Sequence, residues 1–164
     1  MNQRCFIALG ANLGDPVATV KAAILALGEL PQTRFVAASS LYRTAPVGLR
    51  HQPDFINAVV ELVAALAAPT LLEALFEIEA SFGRQRSVKN APRTLDLDLL
   101  LYGDELSTDP QLTLPHPRLH ERAFVLAPLA EIAPQLIIPG HGPVTRLLLR
   151  CADQQIERLL PQEA

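Results

Sequence analysis

The sequence predicts an α+β fold: an antiparallel sheet of ferredoxin-like βαββαβ order, with helices packed on one side and a C-terminal extension. Three observations predict it. Four apolar, strand-like runs alternate with two stretches of helical period, one between the first and second runs and one between the third and fourth. The second and third runs are joined by a loop rich in turn formers, with no helix between them. No internal repeat, linker or low-complexity segment breaks the order.

The first strand is the apolar run Cys5 to Leu9, ended by Gly10, and Gly10, Asn12 and Gly14 form a turn. Asp15 is placed to cap a helix with Pro16 in its first position. Val17, Val20, Ile24 and Leu27 then recur at helical spacing until Gly28 stops the helix. Arg34 to Tyr42 reads as the second strand. The loop Ala45 to Pro53 leads to a third strand, Phe55 to about Ala64. There Ile56, Ala58, Val60 and Leu62 share one face, and Phe55, Asn57, Val59 and Glu61 the other. Pro69 and Thr70 start a second helix, carried by Leu72, Leu75, Phe76 and Glu79 and ended by Gly83. A basic loop, Arg84 to Arg93, enters the fourth strand, Thr94 to Leu101. The extension holds a Pro-rich connection, Asp109 to Pro117, and a helix from Glu121 to Ile132. A short strand at Leu136 to Ile138 and a helix from Val144 to about Arg150 follow.

At 164 residues the chain is expected to form one domain, 1–164, with a real core, and a hydrophobic content of 49% argues against disorder. A net charge of −3 argues against a general nucleic-acid binder. Cys5 and Cys151 have no CxxC or zinc spacing, so the default setting is reduced and cytoplasmic. No secretory h-region follows Arg4, and the apolar stretch Ala58 to Ala68 is interrupted by Glu61 and ended by Pro69. No membrane partner is expected, and a monomer is the expected state.

The chemistry concentrates in APRTLDLDLLLYG, Ala91 to Gly103. Asp96 and Asp98 lie two positions apart on a strand and so face the same way, inside an apolar run that has no need of negative charge. Two carboxylates side by side need a counter-charge, and Mg²⁺ prefers hard oxygen ligands. Arg84, Arg86, Lys89 and Arg93 stand just upstream. Carboxylates for Mg²⁺ beside cations for phosphate point to a metal-bound nucleotide. Pro92 stiffens the chain before Arg93, whose guanidinium can grip phosphate in a bidentate manner. His116 is fixed between Pro115 and Pro117, with Arg118 and Arg122 nearby, which suits a phosphate contact. Phe55 and Asn57 share a strand face, where a ring and an amide can stack on and hydrogen-bond a flat heterocycle.

Each feature has a plainer reading. A DxD pair can be the wet face of an edge strand, and a basic loop can be simply solvated. Phe55 can be core and Asn57 a ladder-edge residue. His116 and His120 could share zinc, although Pro117 opposes a continuous helix across both and no HExxH pattern exists. Gly10 to Gly14 matches neither GxxxxGK[ST] nor GxGxxG, so a tight turn is the better account.

In IALGANLGD, SSLYRTAPVG, QPDFINAVVEL, GRQR, KNAPRTLDLDLLLYG, LPHPRLHERAFVLAPLAEIAP and the later PG turn, the chain resembles the 6-hydroxymethyl-7,8-dihydropterin pyrophosphokinase family of folate biosynthesis. The resemblance spans nearly the whole chain. It implies transfer of the terminal diphosphate of ATP, as a unit, to the pterin hydroxymethyl oxygen, leaving AMP. By matching position, it implies that Asp96 and Asp98 hold two Mg²⁺ ions on ATP and that Asp98 helps deprotonate the hydroxyl. Arg84, Arg86, Arg93, His116 and Arg122 would position the phosphates, with Glu79 near the nucleotide. Thr44, Ala45, Val47, Phe55, Asn57 and Phe124 would line the pterin pocket, the two phenylalanines sandwiching the ring. The basic loop and the Ala45 to Pro53 loop are the expected moving lids. Two departures stand out: no tryptophan near Asn90, where many members carry one, and Phe at position 55, where some have Tyr. The competing enzyme class is a nucleotidyltransferase, which also pairs carboxylates on a strand for two metals but would carry an upstream Gly-Ser turn. A non-catalytic ligand-binding module of the same fold is the third reading.

Overall fold

A computed structural model describes residues 2–46, 51–83 and 94–164. Strand β1 (Gln3–Ala11) is central to the main sheet and pairs antiparallel with β4 (Phe55–Ala64) on one edge and β5 (Asp96–Tyr102) on the other. β4 carries β2 (Thr33–Ala38) and β3 (Tyr42–Thr44) along its far edge, and β10 (Glu157–Arg158) extends the sheet beyond β3. The order is β10-β3-β4-β1-β5, with β2 also on β4 and every pairing antiparallel.

Helix α1 (Pro16–Gly28) starts where predicted, because the Asp15 carboxylate accepts the Ala18 N–H at 3.1 Å and Pro16 opens the first turn. It buries Val20, Ala23 and Leu27. Helix α2 (Ala68–Ser81) buries Ala68, Leu71, Leu75 and Glu79. Both pack on the sheet face formed by Ile7, Leu9, Ile56, Ala58, Val60, Leu62, Leu97 and Leu99. Burying several such side chains at about 1.5–3 kcal/mol each is what holds the helices to the sheet.

The expectation that helices cover one side only is corrected by the structure. Helices α3 (Ala123–Ile132) and α4 (Val144–Leu149) cover the opposite face, where Phe6, Val59, Leu100 and Leu101 meet Leu126, Leu129, Val144 and Leu147. The chain is three-layered because β4 is apolar on both faces: Ile56 to Leu62 are all buried. Glu61 is the charged exception, and its carboxylate is met by Arg4 at 2.7 Å.

The expected strand Arg34 to Tyr42 is two strands. At the break Ser39 still exchanges bonds with Val59, its N–H donating to the Val59 carbonyl and its Oγ accepting the Val59 N–H. Ser40 instead turns to Glu131 of α3, whose carboxylate accepts from the Ser40 N–H, the Ser40 hydroxyl and the Tyr42 hydroxyl. The expected Pro-rich connection, Asp109 to Pro117, carries the second strand of a hairpin, β6 (Ser107–Asp109) with β7 (Leu112–Leu114). The expected helix from Glu121 splits into a 3₁₀ turn (Leu119–Glu121) and α3. A small hairpin, β8 (Ile137–Ile138) with β9 (Gly142–Pro143), precedes α4. Among the described residues, no helix is long and apolar enough to cross a membrane.

Candidate active site

β5 divides its side chains by face. Leu97 and Leu99 enter the core under α1 and α2, while Asp96, Asp98 and Leu100 line a cavity on the other face. Across the ladder, Asp96 lies opposite Gly10 and Asp98 opposite Ala8 on β1. Gly10 lies in turn opposite Asn57 on β4. The central strand therefore contributes only a hydrogen and a methyl between the aspartates and Asn57, and the sheet surface is hollow there. The resulting cavity is about 460 Å³, within the range of small-molecule sites. Gly10 is a strand residue, not the turn residue expected. A Cβ added to it would come within 3.2 Å of Asn57 Oδ1.

The ladder between β1 and β5 slips by one residue: Phe6 faces Leu101 and Ile7 faces Leu99. Leu100 is the extra residue of this bulge. Its carbonyl accepts the His116 N–H at 2.9 Å, which fastens His116 beside the carboxylates. His116 follows Pro115, whose bond to Leu114 is cis. His116 Nδ1 accepts the Arg118 N–H at 3.3 Å, so in the neutral ring the proton sits on Nε2. Burial, then Arg122, and more weakly Arg118, push the His116 pKa down to about 4 against the pull of Asp96. The ring is therefore a neutral Nε2–H donor at neutral pH. Arg122 is held at the mouth of α3, its guanidinium 5.5 Å from the Phe124 ring centroid. Burial is the chief cause that lowers its pKa, while Asp98 and Asp96 act to raise it.

At the far end, Asn57 Nδ2 donates to Thr44 Oγ1 at 2.9 Å, and both residues are buried. This bond leaves the Asn57 carbonyl oxygen over Gly10. Phe55, Ala45, Phe124 and Val125 complete that end. Of the expected site residues, the cavity gathers Asp96, Asp98, His116 and Arg122 with Thr44, Ala45, Phe55, Asn57 and Phe124. Glu79 lies beneath the strand instead of in the cavity wall, where its Oε2 accepts the Leu97 N–H, between the two aspartates, at 2.7 Å. Val47 lies outside the described residues with part of the loop before β4, and so does the whole basic loop, with Arg84, Arg86, Lys89 and Arg93. His120 stacks on His141, ring centroids 4.0 Å apart. Among the described residues, no three His, Cys, Asp or Glu side chains gather as a metal cage.

Arg118, expected as positive charge beside His116, also lines the cavity, as do Ala8, Gly10, Glu121 and Gln154, which were not singled out as ligand contacts from the sequence. Ala8 and Gly10 carried a usable signal: two small residues at period two in an otherwise bulky strand.

The match to known proteins agrees with this geometry. A family model described as 7,8-dihydro-6-hydroxymethylpterin-pyrophosphokinase covers residues 6–134. A 2-amino-4-hydroxy-6-hydroxymethyldihydropteridine pyrophosphokinase of Pseudomonas aeruginosa is 46% identical over 159 residues, 97% of this chain and 98% of that one. The Bacillus subtilis protein of the same name is 44% identical over 136 residues, 83% of this chain and 81% of that one. Among solved structures, Plasmodium falciparum HPPK-DHPS wild type with pteroate superposes with a TM-score of 0.74 at 13% identity. That match covers 93% of this chain and 43% of the longer one, and at such identity it speaks for the fold alone.

Proposed function

The chain belongs to the 7,8-dihydro-6-hydroxymethylpterin-pyrophosphokinase family, and from this premise we propose how it transfers diphosphate from ATP to the hydroxymethyl group of 6-hydroxymethyl-7,8-dihydropterin, giving AMP and the pterin diphosphate for folate synthesis. One observation carries the reading: a single cavity has two carboxylates, a neutral histidine and an arginine at one end, and an aromatic and amide wall at the other. The pterin lies against Phe55 and Phe124, with Asn57 and Thr44 on its polar edge and Ala45 beside it; Val47 is assigned to the same pocket by family resemblance. Its hydroxymethyl oxygen then points toward the aspartates.

That oxygen attacks the β-phosphorus of ATP, and the bond from the β-phosphorus to the α,β-bridging oxygen breaks. AMP leaves with the bonding pair, and the hydroxyl proton passes to Asp98. Asp96 and Asp98 share a face, are hard oxygen donors and have only Ala8 and Gly10 opposite them on β1, so they are the residues that would hold the two Mg²⁺ ions proposed to accompany ATP. Bound there, Mg²⁺ would supply neutralisation of the phosphate charge. His116 Nε2–H and the Arg122 guanidinium donate to phosphate oxygens. Arg84, Arg86 and Arg93 are assigned to the same phosphates, and the two loops to closure over them, by family resemblance. Glu79 serves the nucleotide end by holding Leu97 between the aspartates. Catalysis of this kind rests on alignment and charge more than on covalent machinery.

The strand order supports the ferredoxin-like βαββαβ plan, with residues after β5 as the C-terminal extension, all within one domain. A monomer in the cytoplasm, acting on small molecules with neither nucleic acid nor membrane as partner, completes the proposal. The free thiols of Cys5 and Cys151 support that setting. Incubation with ATP, Mg²⁺ and the hydroxymethyl dihydropterin tests it. AMP and pterin diphosphate in equal amounts are expected. ADP as product, or free diphosphate as for a nucleotidyltransferase, would overturn it.

A further inference from the structure

Arg122 occupies a junction. The 3₁₀ turn ends just before it, α3 begins just after it, and its backbone is extended (φ −118°, ψ 111°). Its own side chain caps nothing, and although its carbonyl accepts from Val125, the N–H groups of α3 before Val125 need partners from elsewhere. Gln154, in the turn after α4, supplies one. Its Oε1 accepts the Ala123 N–H at 2.9 Å, and its Nε2 donates to the Glu121 carbonyl at 2.7 Å. That carbonyl belongs to the peptide before Arg122 and that N–H to the peptide after it. One side-chain amide therefore pins both dihedrals of Arg122. Gln154 is itself anchored, since its N–H donates to the Cys151 carbonyl at 3.0 Å and Cys151 is buried with Val144 and Leu147.

We propose that Gln154 is a positioning residue for diphosphate transfer, holding the Arg122 backbone so that its guanidinium stays at the aspartate end of the cavity. The inference rests on the reading that Arg122 meets the ATP phosphates. The chemistry selects glutamine: the clamp needs a donor and an acceptor on one planar end, which a carboxylate, an ammonium or a guanidinium cannot supply. Asparagine has both groups but is one methylene shorter. Gln154 is exposed, so truncating it removes little packing, and the double variant with Arg122 separates its effect through Arg122 from its place in the cavity wall.

The test compares AMP formation from ATP, Mg²⁺ and the pterin by wild type, Gln154→Ala, Gln154→Glu, Arg122→Ala and the double variant Gln154→Ala/Arg122→Ala. Gln154→Ala is expected to melt within a few degrees of wild type, to bind the pterin unchanged and to lose about tenfold in kcat/KM for ATP. Gln154→Glu keeps the acceptor, loses the donor and should also lose activity. The double variant should be no worse than Arg122→Ala alone, because Gln154 acts through Arg122. Wild-type activity in Gln154→Ala, or a loss that multiplies in full with that of Arg122→Ala, would overturn the inference. A wild type that forms no AMP would overturn the functional reading instead.

Discussion

Replacing Glu131 should separate hydrogen bonding from charge as the force that holds β3 in place. Its carboxylate accepts from the Ser40 N–H at 3.0 Å, the Ser40 hydroxyl at 2.9 Å, the Tyr42 hydroxyl at 2.8 Å and Arg158 at 3.1 Å. The Arg158 side chain is 59% exposed, so that pair contributes at most about 1 kcal/mol. Tyr42 is 5% exposed, and its hydroxyl has little access to water. Removing the shared acceptor costs about 1–3 kcal/mol for each buried donor left behind. With the Tyr42 hydroxyl and the Ser40 N–H stranded and the Ser40 hydroxyl free to turn, Glu131→Ala should lose about 3 kcal/mol. Glu131→Gln keeps an acceptor for Ser40 and can donate its amide to Tyr42 Oη, so it should lose only about 1 kcal/mol. Urea unfolding at pH 7 reads both, as a lower midpoint with an unchanged slope. Burial first, then the bond and charge of Glu131, hold the Tyr42 phenol above its ordinary pKa. The tyrosinate absorbance of Glu131→Ala should therefore appear at lower pH than in wild type. An alanine variant as stable as wild type, or a glutamine variant as damaged as the alanine one, would refute the reasoning.

Asp98→Ala should abolish turnover while leaving pterin binding largely intact, as read by AMP release and by calorimetric titration with the pterin. Gly10→Val places a branched side chain against Asn57 Oδ1, in the hollow between Asn57 and Asp96. Its pterin affinity should fall at least about tenfold with the far-UV spectrum unchanged. His116 binds its proton more weakly folded (about 4) than unfolded (6.5), so the unfolded state takes up more protons as pH falls. Stability contributed by neutral His116 is present above about pH 6.5 and drains away toward pH 4. Between pH 7 and pH 5, wild type should lose about 2 kcal/mol more than His116→Asn in urea unfolding. Equal losses would show that His116 titrates normally.

Much of this was legible because it is local. Asp15-Pro16 announced α1, and the alternation along Phe55 to Ala64 announced β4. The two-residue spacing of Asp96 and Asp98 put both on one face. Nine of the expected site residues meet in the cavity. What escaped depends on partners far away in sequence. The break at Ser39 to Leu41 arises because Ser40 answers to Glu131, ninety-one positions on. The bulge at Leu100 is a property of the register with β1, invisible in a leucine-rich run. Val59 shares its face with Asn57 and Glu61, which hides the apolar contact that it and Phe6 make with α3 and α4 and with it the third layer. Gln154 has no local signature at all, since its partners are backbone groups.

The walls around the carboxylates draw on positions from Ala8 to Gln154. Chemistry therefore arrives late in the life of each molecule. A nascent polypeptide can pair its first hairpins while still threading out of the ribosome, but it stays inert until α4 and the turn after it have emerged and docked. Premature termination between Arg122 and that turn yields a product that has made its acids and lost the grip on their arginine.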